Sequence, residues 1–96
     1  MKVVFEPAAL EEAREAIAWY LAHAGLRQAE ALNREIDAKT ALLIAHPLIG
    51  TPSPAKMRRM PLRVFPYTLH YRVESETIRI FAVAHQKRRP GYWRKR

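Results

Sequence analysis

Two alternating stretches near the carboxyl end of the chain constrain its fold more than any other feature. From Phe65 to Val73, apolar and aromatic residues occupy every second position, with mostly polar residues between them. From Thr77 to His85, both sets of alternate positions are largely apolar. Because side chains alternate between the two faces of a strand, this pattern predicts two strands, joined by the polar turn Glu74-Ser75-Glu76. The second strand, which is apolar on both faces, is expected in the middle of a sheet.

The alternation also predicts which side chains share a face. One face of the first strand should be buried and the other should be exposed to solvent. In the first strand, the buried set is Phe65, Tyr67, Leu69, Tyr71 and Val73, and the solvent-exposed set is Thr68, His70 and Arg72. In the second strand, one face carries Ile78, Ile80, Ala82 and Ala84, and the other carries Arg79, Phe81, Val83 and His85.

The amino-terminal half predicts a strand followed by two helices. Lys2 to Phe5 is a short β-branched and aromatic run, and Pro7 is a favoured residue for the first turn of a helix. Apolar residues then recur at helical spacing up to Gly25, and again from about Arg27 to His46. Two helices joined around one glycine predict an antiparallel hairpin, whose apolar side must cover the sheet. The apolar positions are Leu10, Ala13, Ile17, Tyr20, Leu21 and Ala24 in the first helix, and Ala29, Leu32, Ile36 and Leu43 in the second.

The segment between the helices and the alternating strands predicts a loop and one brief strand. Residues 47–56 contain three Pro and one Gly, which favours a loop. Lys56 to Met60 is predicted as a brief strand that ends before Pro61. The element order is then β-α-α-β-β-β, an α+β fold in which the helical hairpin packs on one face of a small, mainly antiparallel sheet. The helices form a crossover long enough for the first strand to pair in parallel.

Length and composition exclude several classes of protein. With 96 residues, 49% of them hydrophobic, the chain fits one small domain that spans residues 1–96. No apolar run approaches the ~18 residues that cross a bilayer, so no membrane segment is expected. The first residues lack the apolar segment of a secretory signal, which favours a cytoplasmic location. The absence of Cys excludes disulfides and thiol catalysis.

Basic residues are concentrated in the carboxyl-terminal half. Residues 1–50 contain five Lys and Arg against seven Asp and Glu, a net charge of −2, whereas residues 51–96 contain twelve against two, a net charge of +10. This segregation indicates an acidic partner for the second half, either nucleic acid or an acidic protein. Basic side chains with interleaved aromatic residues suit both partners, and we expect them on one accessible surface. The set comprises Arg58, Arg59, Arg63, His70, Arg72, His85, Lys87, Arg88, Arg89, Tyr92, Trp93, Arg94, Lys95 and Arg96.

One catalytic scheme is compatible with these residues, the metal-free cleavage of RNA. A base would remove the proton of the 2′-hydroxyl, a cation would stabilise the phosphorane, and an acid would protonate the leaving oxygen. Structural roles are equally open, with His85 as a hydrogen-bonded residue and Tyr92 and Trp93 folded back over a sheet edge. The four His lack metal-ligand spacing and clustered carboxylates, so neither a metal nor another cofactor is expected. The candidates for the catalytic roles are His85, His70, Arg63, Arg88 and Tyr92.

Three segments of the chain resemble one known family. The strands FPYTLHYRV and IRIFAVAH and the ending HQKRRPGYW, taken with the predicted element order, resemble the RelE/ParE superfamily of toxins from bacterial type II toxin–antitoxin pairs. The likeness covers essentially the whole chain. Within the superfamily, the pattern is more similar to the ParE branch than to RelE.

The resemblance implies a toxin that poisons DNA gyrase by trapping its cleaved-DNA state, without catalytic residues of its own. The alternative is a RelE-like, ribosome-dependent mRNA endonuclease. Phe65-Pro66-Tyr67 occupies a stretch in which RelE commonly carries a catalytic Arg, and this difference favours the gyrase target. The candidate target contacts, within the basic segment from Lys87 to Arg96, are Lys87, Arg88, Arg89, Tyr92, Trp93 and Arg94. The residues implied for a nuclease are Arg63, His85, Arg88 and Tyr92.

The resemblance also implies a cognate antitoxin, whose acidic and partly disordered segment wraps the toxin and folds on binding. The toxin would then form a hetero-oligomer with the antitoxin. The positive charge of the second half would attract the antitoxin, and apolar positions around the helical hairpin would anchor it. The candidate antitoxin contacts are Trp19, Arg58 and Arg59.

Overall fold

Two helices and a five-stranded sheet form the fold in the computed structural model, which describes residues 1–95. Arg96, which belongs to the predicted target-contacting segment, lies outside the described residues. The elements are β1 (Lys2–Phe5), α1 (Pro7–His23), α2 (Leu26–Ala45), β2 (Thr51–Ser53), β3 (Met57–Pro61), β4 (Tyr67–Glu74), β5 (Thr77–His85) and a short 3₁₀ helix (Tyr92–Lys95). No helix within residues 1–95 is long and apolar enough to cross a bilayer.

The strands lie in the order β1-β5-β4-β3-β2, so β1 and β2 form the edges of the sheet. β1 pairs in parallel with β5, and all other neighbours are antiparallel. The predicted α+β fold, with its helical hairpin and its parallel first strand, is confirmed. β2 is an addition, because it lies within the segment predicted as a loop. Pro52 is compatible with this short strand, since a proline at a sheet edge need not supply an N–H to the ladder.

α1 buries only part of the face that its sequence predicts. Ala13, Ile17 and Tyr20 of the predicted stripe pack in the core, as expected. Leu10, Leu21 and Ala24 were predicted in the apolar stripe of this helix, but all three are exposed, so that part of the prediction is wrong. The helix is rotated toward its small residues, which allow it to pack directly on β5. The residues that α1 buries are Ala9, Ala13 and Ala16.

α2 follows α1 after a sharp reversal and buries the face that its sequence predicts. Gly25 makes the reversal with a φ of 95°, a conformation that side-chain-bearing residues rarely adopt. The helix then runs back across the sheet, and its predicted apolar stripe is confirmed. The buried residues of α2 are Ala29, Leu32, Ile36 and Leu43.

A change of register between β4 and β5 reverses the faces of β5. The consecutive residues His70 and Tyr71 lie opposite Ala82 and Ile80, so β5 carries one extra residue at this step. Such a bulge moves the side chains beyond it to the other face of the strand. Val83 consequently joins the core beneath the helices. The predicted faces of β5 are therefore wrong from Ala82 onward, whereas Phe81 packs on the tail side as predicted.

The sheet is covered on both faces, but by different parts of the chain. The helical hairpin covers one face, the helix face, and residues 86–95, the tail, fold back over the other, the tail face. Thr68, His70 and Arg72 are half-buried on the tail face, so the prediction that this face of β4 is solvent-exposed is wrong. The buried residues of the helix face are Ala9, Ala13, Ala16, Leu32, Ile36, Leu43, Leu62, Phe65, Leu69, Tyr71, Ile78, Ile80 and Val83, and those of the tail face are Met57, Ala82 and Trp93.

Candidate functional site

The tail leaves β5 and turns back at once, held by two backbone hydrogen bonds. The Gln86 N–H donates to the Pro66 carbonyl at 2.8 Å, and the Arg88 N–H donates to the His85 carbonyl at 2.9 Å. Gly91 then turns the chain with a φ of 76°, immediately before the 3₁₀ helix. This path carries the basic residues of the tail back over the sheet.

Trp93 anchors the tail on the sheet. Its side chain is only 8% exposed and packs with Met57 and Ala82. Its ring stacks on the ring of His70 in β4, with the centroids 3.7 Å apart. Trp93, predicted as a target contact, is thus also the main internal contact of the tail. The ring covers the face of the sheet, whereas the structural alternative placed it over a sheet edge.

Glu12 of α1 links the tail to the bulged part of β5. One of its carboxylate oxygens accepts a hydrogen bond from the Tyr92 hydroxyl, and the other accepts one from the Val83 N–H at 3.0 Å. The guanidinium of Arg88 lies 3.9 Å from the centre of the Tyr92 ring. Sequence reasoning missed Glu12, because it resembles the other acidic residues of the helix surface. Its partners lie 71 and 80 residues further along the chain, so no local pattern reveals the link.

Arginines from β3 and from the tail surround an open cleft of about 250 Å³ on the tail face, the arginine cleft. Within residues 1–95, no group of three His, Asp or Glu side chains could hold a metal ion there or elsewhere. The structure brings together at this cleft every predicted target contact except Lys87, and it adds Arg59. The arginines of the cleft, all exposed, are Arg59, Arg88, Arg89 and Arg94.

His70 lines the arginine cleft but does not contribute charge to it. Burial lowers the pKa of His70 from 6.5 to about 4, the charges of Arg59 and Arg94 lower it as well, and Glu12 acts in the opposite direction. His70 is therefore neutral at pH 7. The positive charge of the cleft comes from guanidinium groups, which stay protonated at any physiological pH.

His85, Arg88 and Tyr92 also line a smaller groove of about 200 Å³ beside α1. The backbone N–H of Lys87 donates to Nδ1 of His85 at 3.1 Å. Because a backbone N–H can only donate, Nδ1 is the acceptor, and the neutral ring carries its proton on Nε2. The neutral ring then has no free lone pair with which to remove a proton from a substrate hydroxyl.

Arg63 lies apart from the other members of the predicted nuclease set. It occupies the loop between β3 and β4 and lines neither the arginine cleft nor the groove beside α1. Glu35 of α2 holds this loop, because its carboxylate accepts hydrogen bonds from the backbone N–H groups of Arg63, Val64 and Phe65 at 2.5, 3.1 and 3.4 Å. The structure therefore does not bring Arg63 together with His85.

The predicted antitoxin contacts lie on different parts of the molecule. Trp19 on α1 is 52% exposed, and its ring stacks on that of His23 at 4.5 Å. Arg58 and Arg59 are neighbours on β3, so their side chains point to opposite faces of the sheet. The Arg58 guanidinium donates to the Gly50 carbonyl at 2.8 Å and braces the loop before β2. Arg59 lies in the arginine cleft.

Comparisons with known proteins agree with this fold. A family model described as "ParE toxin of type II toxin-antitoxin system, parDE" matches residues 3–90. Among solved structures, a chain of the "Chromosomal ParDE TA system from P. aeruginosa" is similar, with a TM-score of 0.77 and 20% sequence identity. The similarity covers 88% of this chain and 95% of that chain, and at this identity it shows the fold alone. A comparison with curated proteins found no match.

Proposed function

The chain belongs to the ParE toxin family of type II toxin–antitoxin systems, and on this premise we propose that it poisons DNA gyrase by holding that enzyme on cleaved DNA. A toxin of this family has a cognate antitoxin as its partner. We assign contact with the gyrase–DNA complex to the exposed basic side chains of the tail, and we assign Tyr92 and Trp93 the role of holding them in place. The exposed basic residues concerned are Lys87, Arg88, Arg89 and Arg94.

The observation that carries this proposal is the uncompensated charge of the arginine cleft. Within the described part of the chain, none of its four arginines forms an ion pair. Grouping like charges lowers the stability of a folded protein, so a group without internal acidic partners is typical of a surface that meets an acidic partner. The tail backbone that carries three of these arginines is held by Trp93 and Glu12.

The geometry of the two histidines supports a toxin that acts by binding. A metal-free ribonuclease needs a base, an acid and a cation within reach of one phosphate. Nδ1 of His85 is occupied by the Lys87 N–H, and Nδ1 of His70 is buried, so a substrate hydroxyl cannot reach it in this conformation. Arg63, the remaining candidate cation outside the tail, is held in a separate loop. These residues supply the cations of such a site but not its base.

We assign the antitoxin to the helical hairpin. Three apolar side chains near the junction of the two helices are exposed, namely Trp19 at 52%, Leu21 at 52% and Leu26 at 62%. Exposed apolar positions of this kind anchor an amphipathic segment of a partner. The acidic residues of that segment are attracted by the positive charge of the carboxyl-terminal half of the toxin. Arg59 is a candidate polar contact for that segment, whereas Arg58 is engaged within the loop before β2.

The test measures gyrase poisoning and mRNA integrity with the same purified toxin. We expect wild-type protein to accumulate cleaved DNA in a supercoiling reaction with gyrase, and to leave ribosome-bound mRNA intact. The Arg88→Glu/Arg89→Glu variant should need at least about tenfold more protein for the same effect, which corresponds to ~1.4 kcal/mol of binding free energy. The matched control, Arg27→Glu/Arg34→Glu, reverses two exposed charges on α2 and should keep full activity.

Circular dichroism and thermal melting establish that both double variants are folded. An equal loss of activity in the two variants would show that only net charge matters, and would contradict the role of the tail. Cleavage of mRNA on ribosomes with supercoiling unaffected would identify the ribosome as the target and would overturn the proposal.

A further inference from the structure

Two groups of arginines near the sheet differ in whether they have acidic partners. Close to the β4–β5 turn, Arg79 pairs with Glu74 at 2.9 Å and with Glu6 at 3.4 Å, and Arg72 pairs with Glu74 at 3.5 Å. Where β5 runs into the tail, the arginines of the arginine cleft have no acidic partner among the described residues. The protein thus neutralises one group internally and leaves the other available for a ligand.

The positive charge of the arginine cleft converges from distant parts of the chain. Arg59 of β3 and Arg94 of the 3₁₀ helix line the same cleft as His70, and both act electrostatically on that residue. The cleft volume of about 250 Å³ equals roughly eight water molecules at ~30 Å³ each, which is room for a phosphate and its sugar. Guanidinium groups suit that ligand, because their parallel N–H donors match the oxygens of a phosphate.

We propose that the arginine cleft binds the phosphodiester backbone of double-stranded DNA. The inference rests on the proposed function only for the source of this DNA, the segment that gyrase holds. The toxin then contacts the nucleic acid of the poisoned complex as well as the enzyme, and neutralising the DNA phosphates contributes to the stability of that complex.

The aromatic rings beside the cleft favour a duplex over an unstacked single strand. Single-stranded nucleic acid is bound chiefly by stacking its bases on exposed rings. Here the Trp93 ring stacks on His70 at 3.7 Å, and the Arg88 guanidinium covers the Tyr92 ring at 3.9 Å. The buried Trp93 ring cannot receive a base, and a base could stack on Tyr92 only by displacing Arg88. Phosphate contacts, in contrast, leave the bases stacked inside the double helix.

The position of the exposed apolar residues favours DNA over an acidic peptide. A folding peptide takes most of its affinity from apolar anchors. The most exposed large apolar side chains of the described chain, which include Leu26, Leu48 and Val64, lie outside the arginine cleft. The cleft therefore offers phosphate contacts without anchors for a peptide.

The test measures binding of the full-length toxin to a short fluorescent DNA duplex by anisotropy, at a series of salt concentrations and without gyrase. Arg59→Gln and Arg94→Gln each remove one guanidinium from the cleft and should weaken binding several-fold. Each should also reduce the slope of log K against log salt by about 0.9, the value for one lost phosphate contact. Arg34→Gln, which removes an exposed charge from α2, is the matched control and should change neither quantity.

Three outcomes would overturn the inference: no salt-dependent binding of the duplex, an equal effect of Arg34→Gln, or tighter binding of single-stranded RNA. Displacement of the duplex by polyglutamate of equal charge would also overturn it, because the cleft would then be a general site for polyanions. Different results would contradict the proposed function and this inference. DNA binding without gyrase poisoning would contradict that function alone, and poisoning that survives the loss of DNA binding would contradict only this inference.

Discussion

The two faces of the sheet are covered by very different amounts of structure. The helix face lies beneath α1 and α2, of 17 and 20 residues, and it contains all the largest fully buried side chains, such as Leu32 and Tyr71. The tail face is closed mainly by one ring, that of Trp93, on Met57 and Ala82. Stability should therefore depend chiefly on the helix face, and the tail face should be able to open and change without loss of the fold.

The largest expected loss of stability comes from a substitution on the helix face. Leu32→Ala removes a completely buried side chain between α2 and the sheet and should lower the free energy of unfolding by about 3–5 kcal/mol. Leu10→Ala, at an exposed position of α1, should change it by less than about 0.5 kcal/mol. Urea denaturation followed by circular dichroism measures both. Similar losses in the two variants would mean that Leu10 is buried, as its position in the predicted stripe of α1 implied.

A substitution on the tail face should cause a smaller loss in the free energy of global unfolding. Trp93→Ala should release the tail while the helices stay packed, so the free energy of unfolding should fall by only about 1–2 kcal/mol. Trypsin should then cut after Lys87 and after Arg88 many times faster than in the wild type. Trp19→Ala, at the exposed tryptophan, is the control and should leave that cleavage rate unchanged. A global loss equal to that of Leu32→Ala, without faster cleavage, would show that the two faces unfold as one unit.

The smallest effect concerns the pH dependence of the tail face. The pKa of His70 is about 4 in the folded protein, against 6.5 for an unperturbed histidine, as expected in the unfolded chain. Between pH 4 and pH 6.5, the unfolded chain therefore binds more protons at this residue than the folded protein does. The contribution of the neutral His70 ring to the free energy of unfolding is fully present above pH 6.5 and is lost as the pH falls toward 4. Solvent screening keeps the loss below about 1 kcal/mol near pH ~5.

His70→Phe tests this dependence, because it keeps a ring under Trp93 but cannot titrate. Unfolding free energies at neutral and mildly acidic pH should diverge for the wild type and agree more closely for the variant. An identical acid-induced loss in both proteins would assign the pH dependence to other groups.

The sequence predicts the fold well where local patterns are intact. The stripe of α2, which includes Leu32 and Ile36, is regular over the whole helix, so its buried face could be predicted. The bulge in β5 could not be predicted, because an extra residue is set by pairing with β4 and leaves no mark in the alternation. The face of α1 was predicted only in part: Ala13, Ile17 and Tyr20 pack in the core as predicted, but Ala9 and Ala16 were missed, because alanines that pack closely on a strand resemble surface alanines in a sequence.

The candidate site was predictable in composition but not in arrangement. The segregation of charge indicated a basic surface that includes Arg59 and Arg88, but only the fold brings β3 and the tail to one cleft. The burial of Trp93 and its contact with His70 depend on tertiary structure alone. The same is true of Glu12, whose partners lie in the last part of the chain.

The burial of Trp93 determines when the tail becomes ordered. Because the indole is packed during folding, the conformational entropy of this segment is lost before any partner arrives. An incoming partner then has to immobilise only arginine side chains, at roughly 0.5–1.5 kcal/mol each. Most of the free energy of attraction between opposite charges thus contributes to binding affinity, since little of it is offset by the entropy cost of ordering the tail backbone.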